Sequence, residues 1–213
     1  MRYLILLLSL ILATPAVAAP GIVRVRVTTS AGAFVLALNT RRAPATARNF
    51  LAYVDDGRFD GTTIYRSARS KAAPQFGFIQ GGIRTDAQRI LPPFPHESTA
   101  KTGLRHLDGT ISMARAANAQ SAGGNFFICV GAIPAMDARP GSAGYAAFGQ
   151  VVEGMAVVKR ILAMQTGFGS GAMRGQMLVR SVSILSARRL DGKPQPTGIV
   201  KSWREVKHPP KKR

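Results

Sequence analysis

From Ile22 to Thr28 the chain alternates Val23, Val25 and Val27 with Arg24 and Arg26, the period-two pattern of a half-buried strand. A turn at Ser30-Ala31-Gly32 leads into a second alternating run, Ala33 to Leu38, so the first two elements predict a hairpin. Between Pro44 and Val54 the period changes: Ala47, Phe50, Leu51 and Val54 share one helical face, and Asp55-Asp56-Gly57 ends it. Short strand-like runs follow at Thr62 to Arg66, Phe78 to Gly81, Thr110 to Met113, Asn125 to Val130 and Ala146 to Val151. A second helix fits Glu153 to Gln165, with Met155, Val158, Ile161 and Leu162 on one face, and the last strand is Leu178 to Leu185. This pattern predicts a mainly β fold, a closed eight-stranded antiparallel β-barrel capped by two α-helices, because closure removes exposed strand edges.

The two ends differ from this body. Met1-Arg2, the apolar run Tyr3 to Leu12 and the small residues Ala16-Val17-Ala18 have the three parts of a secretory signal, with cleavage expected after Ala18. The apolar run is shorter than the roughly 20 residues of a membrane-spanning helix, so no integral span is expected after cleavage. From Arg188 to Arg213 nine Lys and Arg face only Asp191 and Glu205, and Pro and Lys punctuate the segment, which reads as a disordered basic tail. The expected organisation is therefore a signal at 1–18, one domain at 19–187 and a tail at 188–213. The chain is 213 residues long, is 46% hydrophobic and carries a net charge of +19, values that fit one folded core and a capacity for non-specific contact with polyanions through the tail. No zinc-finger, helix-turn-helix or aromatic-basic motif supports specific nucleic-acid binding. Cys129 is the sole cysteine, so an exported chain gains no intramolecular disulfide, and its setting in Phe126-Phe127-Ile128-Cys129-Val130 predicts a buried, unreactive thiol.

The usual catalytic signatures are missing. His96, His106 and His208 lack metal-ligand spacing, no nucleophilic Ser or Cys motif occurs, and the glycine-rich stretch Gly167 to Gly175 lacks a phosphate-loop ending and reads as a flexible connection. No metal or cofactor is expected. Two segments are more specific. The first is Asp60-Gly61-Thr62-Thr63-Ile64-Tyr65-Arg66 followed by Phe78-Ile79-Gln80-Gly81-Gly82. The second is Gly109-Thr110-Ile111-Ser112-Met113-Ala114-Arg115, then Gly123 to Cys129, then Gly144-Tyr145-Ala146-Ala147-Phe148-Gly149-Gln150-Val151-Val152-Glu153-Gly154-Met155. In this order, across about Ile22 to Leu185, they resemble the cyclophilins, and Ala43 to Phe50 is similar to the family's first helix.

The resemblance implies the eight-stranded barrel and a peptidyl-prolyl cis-trans isomerase, of the exported bacterial kind given the signal. Rotation about an Xaa-Pro bond crosses the amide resonance barrier, roughly 18–20 kcal/mol, without making or breaking a bond. A site for it needs an apolar pocket for the proline ring, hydrogen bonds to the flanking peptide and a donor for the nitrogen lone pair freed in the twisted state. A guanidinium is suited to that last task. By the resemblance, Arg66 is the catalytic arginine, Gln80 binds the substrate backbone and Phe127 floors the proline pocket. Phe78 stands where the family usually has Met, Met136 where it has Leu, and Tyr145 where it has His or, in several bacterial members, Tyr. Ala114 and Arg115 would line the strand along which the peptide lies, and Asn125 replaces a glutamine. Gly77 stands at the position of a pocket phenylalanine, which would remove an aromatic wall, and Ala135 replaces a tryptophan of many eukaryotic members. The expected partners are Xaa-Pro segments of folding exported proteins, met in the periplasm or outside the cell by a monomer. The alternative is a chaperone-like module that binds Pro-containing segments with weakened catalysis.

Overall fold

The computed structural model describes residues 21–204; the expected signal and its cleavage point, and the run Lys211-Lys212-Arg213, lie outside the described residues. Strands β1 (Ile22–Thr29) and β2 (Gly32–Asn39) pair as the expected hairpin, from Ile22 opposite Asn39 to Thr29 opposite Gly32. They are followed by α1 (Pro44–Asp55), β3 (Thr63–Arg69), β4 (Gly77–Gly82), α2 (Thr99–Thr102), β5 (Thr110–Met113) and β6 (Asn125–Val130). The chain continues through β7 (Ala147–Glu153), α3 (Met155–Leu162), β8 (Thr166–Gly167) and β9 (Met177–Arg189). Neighbouring strands run β1-β2-β7-β5-β6-β4-β3-β9, every pairing is antiparallel, and β9 pairs back onto β1 to close a ring of eight. The two-residue β8 is an addition to the edge of β9 outside that ring.

Alternation explains which residues fill the barrel. Val25, Val27, Phe34, Leu36, Leu38, Ile64, Ile79, Ile111, Phe126, Ile128 and Phe148 point inward and are buried in one core. Helix α1 adds Ala47, Phe50, Leu51 and Val54, and the Phe50 ring meets Phe59, Phe126 and Phe148 at centroid distances of 4.9, 5.6 and 5.3 Å. This helix has no capping side chain of its own. Instead the Glu97 carboxylate accepts the amides of Ala45 and Thr46, placing negative charge at the positive end of the helix dipole. Helix α3 is shorter than the apolar pattern suggested. Its four inward residues, Val157, Val158, Ile161 and Leu162, are buried, but Gly154 adopts a left-handed φ of +78° and leaves Glu153 in β7. The one-turn helix α2 was not legible, having too few residues to show a period.

The segment after Ala187 differs most from its reading as disordered. Strand β9 runs on to Arg189, with Arg188 and Arg189 opposite Arg26 and Val25, and Asp191 then pairs with Arg24 at 2.8 Å. Residues 193–204 return to the end of α1. There Asp56 and Arg58, both buried, form an ion pair of 2.8 Å. A buried pair is costly unless its remaining polar atoms are satisfied. The tail satisfies them: Thr197 donates its amide and hydroxyl to Asp56 at 2.9 and 2.6 Å, Ile199 offers its carbonyl to Arg58 at 3.3 Å, and the Trp203 ring lies 4.6 Å from the guanidinium. Composition registers Pro and Lys but not that two buried charges elsewhere await partners.

Burial alone would raise the Asp56 pKa, yet the hydrogen bonds from Thr197 and Arg58 hold it below the ordinary carboxylate value. A depressed carboxylate contributes stability above about pH 4 and loses it as the pH falls through the folded value. Thr197→Val should therefore lower the unfolding free energy at pH 7 by about 1.5–3 kcal/mol, the range for a hydrogen bond to a charged group. The deficit relative to wild type should shrink in acid. Urea unfolding at pH 7 and pH 3 checks both, and equal stabilities at pH 7 would show that the segment does not hold the buried pair.

Candidate functional site

One row of residues crosses four strands on the outer face of the barrel. Ser112 of β5 lies opposite Phe127 of β6, Phe127 opposite Gln80 of β4, and Gln80 opposite Arg66 of β3. Of the Phe126-Phe127 pair the strand sends Phe126 into the core, so Phe127 faces out, as the alternation requires. Arg66 reaches this face through an irregularity. Ile64 is opposite Gly81 and Arg66 opposite Gln80, so Tyr65 and Arg66 together span one position of the partner strand. Such a bulge re-aims side chains. Strict alternation from the inward Ile64 would turn Arg66 inward as well, whereas here Tyr65 and Arg66 both reach Gln80.

The half-buried Arg66 guanidinium is fixed on two sides. Its Nη1 donates to Gln80 Oε1 at 2.8 Å, while Nε and Nη2 donate to Gln176 Oε1 at 2.9 and 2.6 Å. Gln80 in turn donates from Nε2 to the Tyr65 hydroxyl at 2.9 Å, which sets the orientation of its amide. Burial lowers the Arg66 pKa from its ordinary value, but a guanidinium remains charged at neutral pH. Among the described partners these bonds leave one N–H on Nη1 and one on Nη2 for a ligand. Gln176 was not anticipated. It closes the glycine-rich stretch, just before β9, and no local pattern marks it; only the position of Arg66 opposite Met177 brings it there.

Phe127 is surrounded by rings. Phe78 is tilted against it at 5.3 Å, Tyr145 meets it edge-on at 5.3 Å, and His106 stacks beneath it at 5.7 Å with an interplanar angle of 12°. With 2% of its surface exposed, Phe127 serves as a floor behind Phe78 and Tyr145. His106 holds a fixed orientation through Asp137 Oδ1 at Nδ1, 2.7 Å, and the Ser112 hydroxyl at Nε2, 2.9 Å. His106 has no metal-ligand spacing, and no local pattern in the sequence marks it for this role. Although Ser112, His106 and Asp137 have the connectivity of a nucleophilic triad, Ser112 and His106 are completely buried, so no substrate reaches the hydroxyl. Their effect is to position Phe127.

The other expected residues lie around this centre. Ala114, at the end of β5, is half-buried beside the start of β6, where its amide donates to the Asn125 carbonyl. The Asn125 side chain is taken up by Arg84, accepting its amide at 2.7 Å and donating to its carbonyl at 2.8 Å, which pins a left-handed residue of φ +56°. Arg115 donates twice to the Gly144 carbonyl, at 2.9 and 2.8 Å, and its guanidinium stands 4.8 Å from the Tyr145 ring, so it buttresses that wall. Met136 lines the far side together with Phe78 and Arg66. Gly77 leaves no ring at the position expected to wall the proline pocket, and the neighbouring Phe76 lies against Gly131 instead, lining the cleft that also reaches Phe78, Arg66 and Met136. Cys129 is buried, and burial pushes its thiol up to about 12, in keeping with an unreactive role.

Residues 24–188 match the family model described as cyclophilin type peptidyl-prolyl cis-trans isomerase/CLD. The chain is 40% identical over 159 residues to peptidyl-prolyl cis-trans isomerase A of Dickeya dadantii, covering 75% of this chain and 81% of that protein. It is 38% identical over 169 residues to a peptidyl-prolyl cis-trans isomerase of Streptomyces antibioticus, covering 78% and 98%. Among solved structures, a cyclophilin type isomerase of Cryptosporidium parvum shares the fold with a TM-score of 0.62 at 20% identity, covering 81% of this chain and 99% of that one.

His106 gives this arrangement a measurable property. Burial lowers its pKa below the ordinary 6.5, outweighing the opposing pull of Asp137. The ring should titrate below 6.5 and so be neutral at neutral pH, keeping both hydrogen bonds. Titration of its ring resonances by NMR checks this, and a midpoint at or above 6.5 would contradict the burial account.

Proposed function

This chain belongs to the cyclophilin-type peptidyl-prolyl cis-trans isomerases, and from that membership we propose that it accelerates Xaa-Pro rotation in exported proteins as they fold, with Arg66 as its catalytic residue. The observation that carries the site reading is the row Ser112, Phe127, Gln80, Arg66 on one outer face, with an anchored guanidinium at one end. A proline ring enters against Phe78 and Tyr145 with Phe127 behind them. Gln80, whose amide is oriented by Tyr65 and Arg66, meets the flanking peptide.

In the planar ground state the amide nitrogen shares its lone pair with the carbonyl and accepts no hydrogen bond. As the bond twists, that pair localises and the remaining N–H of Nη1 or Nη2 donates to it. This interaction exists only near the transition state, so it lowers the barrier without tightening ground-state binding. Gln80 and Gln176 hold the donor in place beforehand, which avoids reorganisation during the turnover. No proton is transferred and no covalent bond changes.

The setting among exported proteins rests on the N-terminal pattern Met1 to Ala18. No helix among the described residues is long and apolar enough to cross a membrane. The polyanion reading rests on the charge of the C-terminal segment, where from Arg188 to Arg213 nine Lys and Arg face only Asp191 and Glu205.

Arg66→Ala should lower kcat/KM for an Xaa-Pro peptide on the order of a hundred- to a thousandfold, the effect of deleting a transition-state donor, with circular dichroism and peptide affinity nearly unchanged. Gln176→Ala leaves the donor in place but loosens it, and should lower kcat on the order of tenfold while KM stays. Protease-coupled kinetics separates the two constants; equal activity of wild type and Arg66→Ala would leave only a Pro-peptide-binding module. For the exported form, N-terminal sequencing should read Ala19 first, and recovery of Met1 would overturn export by cleavage.

A further inference from the structure

Arg66, Phe78 and Met136 face two ways. With them begins a cleft of about 560 Å³ that continues along the ends of β3, β4 and β6, walled by Phe76 and Ile133 and rimmed by Arg69. Two glycines shape it. A Cβ at Gly77 would stand 2.1 Å from the Ala68 carbonyl oxygen and the backbone there has φ +144°, so this position carries no side chain and the strands close up behind it. A Cβ at Gly131 would stand 2.6 Å from the Phe76 ring, so the bare backbone of Gly131 is what lets that ring lie across the turn after β6. As a result Phe76 is 48% exposed, an aromatic wall uncovered in a concave site. A large apolar surface left open in a cleft marks a place where apolar groups bind.

Its location specifies the occupant. The cleft is continuous with the isomerase site through Arg66, Phe78 and Met136, and lies toward the end of β6. Ala114 lies at the opposite end of the same strand, beside Asn125. A peptide whose proline sits before Phe127 therefore extends over Ala114 on one side and over this cleft on the other. We propose that the cleft is a subsite for one large apolar side chain, aromatic or branched aliphatic, of the substrate residue flanking the proline on the side away from Ala114, and that Phe76 sets the preference. This rests on the Xaa-Pro reading of the site. The volume exceeds that of one side chain and lies within the range of small-ligand pockets, about 300–1,000 Å³, so Phe or Leu enters without strain.

The test uses short peptides with an Ala-Pro core in which the positions on either side are varied singly among Ala, Leu and Phe. Affinity is read by NMR titration, which needs no turnover, and kcat/KM by exchange kinetics. In wild type, Phe or Leu at one flank should exceed Ala at least about tenfold in both measures, the discrimination expected of an apolar pocket for a side chain. Phe76→Ala should bring that ratio within about twofold of unity, and Ala132→Trp, which fills the exposed side of the cleft, should do the same. Because each ratio is taken within one protein, a general change in activity does not disturb it. Wild-type ratios near unity at both flanks, or a ratio that survives Phe76→Ala, would overturn the subsite while leaving the isomerase reading intact. Failure of every proline peptide to bind would overturn both.

Discussion

Register across the sheet is the constraint on which the site depends. Closure through β9 and β1 leaves no free strand to slide, and the alignment of Ser112, Phe127, Gln80 and Arg66 follows from pairings set elsewhere in the ring. A slip of one residue in β6 would send Phe127 into the core and Phe126 to the surface, exchanging the pocket floor for a residue packed against Phe50 and Phe59. The apolar core therefore specifies the polar site. Burial of Phe126, Ile128 and Val130 on one face fixes what the other face presents.

On that outer face the chemistry is concentrated by one departure from regularity. The bulge at Tyr65 turns Arg66 outward, and the amides of Gln80 and Gln176 restrict its head to a narrow set of positions. A charged group held by neutral hydrogen-bond partners keeps its full charge, whereas a carboxylate partner would offset much of it. Among the described residues Asp55, Asp56, Asp60 and Asp86 are paired with Arg189, Arg58, Arg188 and Arg89, and Arg66 makes its side-chain bonds to glutamines. The aromatic walls complete the site from both directions, with His106 beneath Phe127 and Arg115 behind Tyr145.

Much of this was legible in the sequence, and the parts that were not share a physical reason. Alternation located the eight barrel strands because each has one face in the core, and the helical face of α1 was visible for the same reason. Arg66 and Phe127 were singled out only through the resemblance, since the bulge that exposes Arg66 breaks the very period by which strands are read. Gln176 and His106 acquire their roles from contacts between residues distant in the chain, 110 and 31 positions from Arg66 and Asp137. The ordered part of the C-terminal segment was missed in the same way, since Thr197 and Trp203 are placed by Asp56 and Arg58, not by their neighbours. The place of Phe76, whose ring lies across Gly131, was not legible for the same reason, because position-by-position comparison reads Gly77 alone.

An anchored Arg66 beside an aromatic pocket should lower the barrier to rotation of a bound Xaa-Pro amide. Two-dimensional NMR exchange spectroscopy on an Ala-Pro peptide, with substoichiometric protein, measures that rotation without protease or chemical coupling. Uncatalysed isomerisation takes tens to hundreds of seconds and gives no exchange peaks on the sub-second mixing scale. Catalysed rotation should give cis-trans cross peaks that grow with protein concentration at a mixing time of about 0.1–1 s, far shorter than the uncatalysed time. Chemical-shift changes showing that the peptide binds near Phe127, with no exchange peaks at any mixing time, would contradict it.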